Sequence, residues 1–145
     1  MINIKCILRV GLLIITMLSA PAIASELQGV AFSQAAESGT YHCRNTDAAT
    51  AMACAKLLCE ANADNECVVT NYCWPAQYSA VVKFHGDDLQ YDISLCGQAS
   101  VAALLQSAKA NCLAQRTPGD CFVIKLMDPA GDDLPPPAIL WKARK

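Results

Sequence analysis

Nine cysteines punctuate this chain of 145 residues, and eight of them, Cys43, Cys54, Cys59, Cys67, Cys73, Cys96, Cys112 and Cys121, fall between positions 43 and 121. An even set of closely spaced cysteines reads as a disulfide framework when the chain is exported. Zinc would ask for pairs separated by two residues, and no Cys-x-x-Cys occurs, which also removes the signature of a thioredoxin-type redox centre. Each bridge closing a short loop stabilises a fold by about 2 to 4 kcal/mol. That contribution matters in a chain whose helical stretches are rich in alanine, because alanine buries little apolar area.

The ninth cysteine, Cys6, lies in a segment of a different kind. Lys5 and Arg9 precede an uncharged apolar run from Val10 to Ala20, and Ala22-Ile23-Ala24 stands before Ser25. This is the charged start, apolar centre and small-residue cleavage site of a secretory signal peptide. The run is too short for a bilayer span, which needs about 20 apolar residues. We therefore expect residues 1–24 to be removed, a periplasmic or secreted location, and no membrane insertion after cleavage. The division of the chain is then a signal peptide over 1–24, a folded domain over 25–127 and a proline-rich tail over 128–145.

Charge narrows the choice of partners. From Ser25 to Trp141 there are six basic and thirteen acidic residues, a net charge of −7. An acidic body disfavours DNA, RNA and anionic lipid and suits a cationic protein.

The body aligns with itself. At an offset of 53, Cys43 meets Cys96, Ala49 meets Ala102, Ala55-Lys56 meets Ala108-Lys109, Cys59 meets Cys112 and Ala61 meets Ala114. These are six identities in 19 positions, where chance gives about one, so a tandem duplication is expected. In the first half, Gly29–Ser33 and Thr40–Arg44 read as a hairpin about Glu37-Ser38-Gly39, Asp47 as the cap of a helix over 48–61, and Cys67–Tyr72 as a strand. In the second, Ala80–His85 and Leu89–Leu95 flank Gly86-Asp87-Asp88, Ser100 caps a helix, and Cys121–Leu126 is the closing strand. The expected fold is α+β, with two tandem strand-strand-helix-strand repeats stapled by disulfides.

Helix ends and strand starts then suggest bridges from Cys59 to Cys67 and from Cys112 to Cys121. For the other four, equal lengths of helix and strand would bring Cys73 back near Cys43 and leave Cys54 for Cys96. The symmetric choice joins Cys43 to Cys96.

The start GVAFS, then AKLLC, CVVTNYCWPAQYSAVV, AKANC and CFVIKLM, resemble the bacterial exported family of domain of unknown function 4189. The positions that match are Cys59, Cys67, Asn71 with Cys73, Cys112 and Cys121, over residues 27 to about 127; Cys43, Cys54 and Cys96 are additional to the pattern. The resemblance implies an exported helix-and-strand repeat and brings no mechanism.

A catalytic set is not legible. The histidines are His42 and His85, and His85-Gly86-Asp87-Asp88 has the composition of a solvated turn. Nothing brackets Asp87, Asp88 or Asp92 as a carboxylate pair, no phosphate loop is present, and no cofactor is expected. The strongest contact candidates are Trp74 and Tyr78 in the link Tyr72–Tyr78, with Tyr41 in Ser38-Gly39-Thr40-Tyr41 as a further one. Beyond Met127, Asp-Pro-Ala-Gly-Asp-Asp-Leu-Pro-Pro-Pro reads as an extended mobile tail, frayed through Ala138–Trp141.

Two functions follow from these residues. One is a non-catalytic binding module, an inhibitor or immunity protein facing a cationic toxin or hydrolase; the other is a small secreted hydrolase with an unrecognised site. On either, the purified exported form should begin at Ser25 and carry no free thiol. Intact mass before and after reduction and alkylation checks this, and any cysteine of the 25–145 form alkylated before reduction contradicts it.

Overall fold

The computed structural model describes residues 27–36 and 39–143. The expected signal segment, including Cys6, lies outside the described residues. Strands β1 (Gly29–Ala35) and β2 (Gly39–Asn45) are followed by α1 (Ala48–Glu60) and β3 (Cys67–Cys73). Strands β4 (Tyr78–Gly86) and β5 (Gln90–Gln98) are followed by α2 (Val101–Leu113) and β6 (Gly119–Met127), and then by two short strands, β7 (Asp133–Leu134) and β8 (Leu140–Ala143). The protein is α+β, with two antiparallel sheets. Their orders are β2-β1-β3 and β5-β4-β6-β7, with β8 also on β6, so in each the first strand of the hairpin lies between its hairpin partner and the strand that follows the helix.

Both helices begin where a side-chain oxygen takes an orphan backbone donor. Asp47 accepts from Thr50 N at 2.7 Å and Ser100 accepts from Ala103 N at 3.2 Å. The hydroxyl and then the backbone N–H of Thr50 hold the Asp47 carboxyl below its usual value. Each helix buries a stripe at a spacing of four: Ala51, Ala55 and Cys59 in α1, and Leu104, Ala108 and Cys112 in α2.

Strand alternation sets the layers. In β1, Ala31 faces α1 together with Cys43, whereas Val30 and Phe32 face the second sheet. In β4, Ala80, Val82 and Phe84 face α2, whereas Val81 meets Val30, Phe32, Cys96 and Met127. The stacking order is therefore α1, first sheet, second sheet, α2. At one point the chain packs too closely for any side chain but hydrogen: a Cβ on Gly119 would stand 2.5 Å from the Phe84 ring and 2.8 Å from the His85 carbonyl.

Four disulfides join Cys43 to Cys54, Cys59 to Cys67, Cys73 to Cys96 and Cys112 to Cys121. The expected pairs from Cys59 and Cys112 are present; those of the other four cysteines are corrected. Ala31 pairs with Cys43 on one side and Val30 with Cys73 on the other, so β1 stands between the two cysteines. Two strand spacings are about 10 Å, beyond the reach of a disulfide. Cys54 is on a helix that covers the outer face of the first sheet, far from Cys96, and Cys43 faces that helix while Cys96 lies between the sheets, which excludes the symmetric choice as well.

The tail also departs from expectation. Instead of a mobile end, β7 pairs with Leu126–Met127 and β8 pairs with Gly119–Phe122, both on the edge of β6 away from β4. Pro129 lies in the turn before β7, and Pro135, Pro136 and Pro137 fall in the connection between the two strands, where no ladder donor is required. Trp141 and Ala143 then complete the core beneath α2.

Two seams close the sandwich. On one side Arg44 of β2 donates to the carbonyls of Pro129 (2.7 Å) and Asp128 (2.8 Å), which follow β6. His42 lies next to Arg44 in β2, its ring 6.0 Å from that of Phe32. Burial first, then Lys125 and to a lesser degree Arg44, hold its pKa below 6.5, and Asp133 only partly opposes them. A histidine lowered on folding favours the unfolded chain once protons bind, so its contribution is complete above about pH 6.5 and is lost as pH falls from there toward the folded value. The urea midpoint should drop between about pH 7.5 and about pH 5.5, and His42→Gln should flatten that part of the profile. An unchanged profile in the variant would exclude His42 as the group responsible.

Candidate functional site

The second seam runs along β3 and β5 and carries the Trp74 loop at one end. β5 is an edge strand, and its outward carbonyls at Asp92 and Ser94 would be open to pairing with another chain. They are taken instead by side-chain amides of the first sheet: Gln34 Nε2 donates to Asp92 O at 2.9 Å, and Asn71 Nδ2 donates to Ser94 O at 3.0 Å. At one end of this seam the Cys73–Cys96 bond links the two sheets directly.

Beyond that bond the chain turns through a cis Trp74–Pro75 peptide and through Gln77, at φ 43°. The loop is tied at several points. Ala76 N donates to Gln28 O at 2.8 Å, Ala76 O accepts from Gly97 N at 2.8 Å, and the same carbonyl accepts from the buried Ser79 hydroxyl at 3.0 Å. Gly97 sits at φ 75° with Cys73 within 3.7 Å of where its Cβ would be, a position glycine fills without strain.

The three aromatic residues singled out from the sequence do not share one surface. Trp74 is 57% exposed on this tied loop. Tyr78, at the start of β4, is half-buried against the core beneath α2. Tyr41 is half-buried on the α1 side near Ala35, Cys59 and Cys67, and its hydroxyl donates to Asn62 O at 3.3 Å.

At the other end of the seam the sheets part to leave a cleft of about 390 Å³, lined by Gln34, Gly39, Glu66, Val68, Thr70, Lys83 and Asp92 among others. Its floor is a polar network. The Asp92 side chain is 3% exposed, and its Oδ2 accepts from the Thr40 hydroxyl at 2.9 Å. Thr40 Oγ1 in turn accepts from Gln34 Nε2 at 2.9 Å. Lys83 Nζ stands 3.0 Å from Asp92 Oδ1, an ion pair without hydrogen-bond geometry at that oxygen.

Sequence reading missed this network except for Asp92, weighed there only as half of a carboxylate pair. The signal was present: the hairpin about Gly86-Asp87-Asp88 places Lys83 opposite Asp92, an oppositely charged cross-strand pair. That Gln34 and Thr40 would reach them from the other sheet depends on the stacking of the sheets, which no local pattern records.

A shallower recess of about 300 Å³ lies against His85, Asp87, Asp120 and Lys142. Among the described residues, no group of three or more His, Cys, Asp or Glu side chains is placed to hold a metal ion, and no helix is long and apolar enough to cross a membrane. Comparison of the chain with protein-family models, with curated proteins and with solved structures finds no match.

Removing Lys83 leaves the buried Asp92 carboxylate without its counter-charge. Lys83→Met should destabilise the fold by about 2 kcal/mol, and adding Asp92→Asn should recover part of that loss. Chemical denaturation of both variants checks the order, and a double variant less stable than Lys83→Met by the full cost of Asp92→Asn would show the two residues to be uncoupled.

Proposed function

We propose that this chain is an exported, non-catalytic protein-binding module, periplasmic or secreted, of the inhibitor or immunity type, acting on a cationic toxin or hydrolase. The observation that carries the reading is Trp74, held out in solvent on a loop whose backbone is tied to both sheets. A large aromatic side chain offers contact area at low entropic cost, and a loop already fixed in place loses little freedom when a partner closes over it. The four disulfides and the acidic body support export and a cationic partner. The resemblance to the exported family of domain of unknown function 4189 belongs to the same reading.

The other function, a small secreted hydrolase, would have to draw on the cleft. There Asp92 is engaged by Thr40 and Lys83, and neither histidine lines it. Catalysis by general base would rest on Glu66 alone, the one carboxylate among the described lining residues without a hydrogen bond or ion pair.

Trp74→Ala should weaken capture of the partner from periplasmic extract by about 2 kcal/mol, roughly thirtyfold, with circular dichroism and disulfides unchanged. Normal capture by the variant would make the loop a passive connection. Hydrolytic turnover abolished by Asp92→Asn in a protein that remains folded would replace the binding reading with the enzymatic one.

A further inference from the structure

The cleft at the far end of the seam has a definite chemical preference. Its floor is charge-neutral, because Lys83 is matched by Asp92. The net charge facing solvent then comes from Glu66, which precedes β3 and makes no hydrogen bond or ion pair among the described residues. Glu66, Val68 and Thr70 recur at every second position along β3, and all three line the cleft. Across from them stands Gln90 of β5. Glu66, Thr70 and Gln90 each present an acceptor oxygen, and Val68, 56% exposed, places an apolar surface between Glu66 and Thr70.

That arrangement matches one common side chain better than others. Arginine carries five donors in a planar fork and an apolar stem that prefers to lie on an aliphatic surface. Several acceptors around an exposed valine meet both needs, and lysine, a point charge with three donors, uses fewer of them. An anionic group would meet Glu66 and would compete with Asp92 for Lys83, so the cleft disfavours it.

We infer that the cleft receives an arginine side chain of the protein partner, with the partner's chain laid along the β3–β5 seam between this cleft and Trp74. The inference rests on the proposed binding function and gives that partner a chemistry. Val68 and Trp74 are six positions apart on an extended segment, about 20 Å, a span that roughly six residues of an extended partner segment would cover. Along the seam, Thr70 and Ser94 bring their hydroxyls together at 3.4 Å and offer polar groups to a passing backbone.

The test uses the full exported protein, labelled with nitrogen-15, and three capped tripeptides: acetyl-Gly-Arg-Gly-amide and its lysine and glutamate counterparts. The arginine peptide should shift the amide signals of Glu66, Val68, Thr70 and Gln90 saturably, at millimolar concentration, and less as salt is raised. Lysine should bind more weakly and glutamate not at all. Glu66→Gln, an exposed and structurally neutral change, should reduce affinity roughly two- to fivefold, and Glu66→Lys should abolish the shifts. The inference is overturned if the arginine peptide perturbs no cleft residue, if glutamate binds equally, or if Glu66→Lys changes nothing. Trp74→Ala should leave tripeptide binding intact, so the two ideas separate. Loss of partner capture in Trp74→Ala with no tripeptide binding rejects the cleft alone, and tripeptide binding with Trp74-independent capture rejects the anchor alone.

Discussion

The helices of this protein lack the side-chain volume to hold themselves to their sheets by packing. The buried stripe of α1 is Ala51, Ala55 and Cys59, supplemented only by half-buried Met52; that of α2 includes Leu104 and is supplemented by half-buried Val101 and Leu105. Apolar burial scales with area, so α1 gains far less from contact than a leucine-lined helix would. Its attachment is covalent instead. Cys54 ties it to β2 and Cys59 ties it to β3, whereas α2, with leucine in its stripe, carries the single bridge from Cys112 to β6. The number of staples follows the deficit in packing.

Joining the two halves poses a different problem. The apolar contact between the sheets is a small cluster around Val30, Phe32, Val81 and Met127, and apolar contact alone does not fix how one sheet sits on the other. Directional interactions do. Gln34 and Asn71 reach the outward carbonyls of β5, Thr40 reaches Asp92, and Arg44 grips the turn after β6 from the other side. The bonds of Gln34, Asn71 and Thr40 satisfy groups that the sandwich partly removes from water, and all of them depend on the relative placement of the sheets. The same bonds close β5 against pairing with other chains, a hazard that edge strands otherwise carry.

Much of the local structure was legible because its causes are local. Alternation, turn residues and the caps at Asp47 and Ser100 placed six strands and two helices within a few residues of where they stand. The bridges Cys59–Cys67 and Cys112–Cys121 span one helix-to-strand connection, so chain geometry sufficed. Bridges that depend on which strand is central did not yield to the same reasoning, since a helix and a strand of equal length say nothing about β1 lying between β2 and β3. The tail was misjudged for a related reason. Three prolines exclude a strand where they occur, but Leu140–Ala143 beyond them finds the open edge of β6, a vacancy created by the rest of the fold. Of the candidate site, Trp74 was visible by composition, and the cleft was hidden because its residues come from five strands of two sheets.

The sequence correspondence that led us to expect a duplication breaks at one position with consequences for the site. The 53-residue offset that aligns Cys43 with Cys96 aligns Cys54 with Ser107. Cys43 therefore has a helical partner within its own half, and Cys96 has none: Ser107 Oγ instead contacts Gln98 at 3.4 Å. On β5, Tyr91, Ile93 and Leu95 pack on the α2 side, so by strand alternation Cys96 faces the space between the sheets. There it meets Cys73 at the end of β3, and the bridge that results is the one linking the two sheets. That bridge is thus what fixes the exposed tryptophan relative to both sheets.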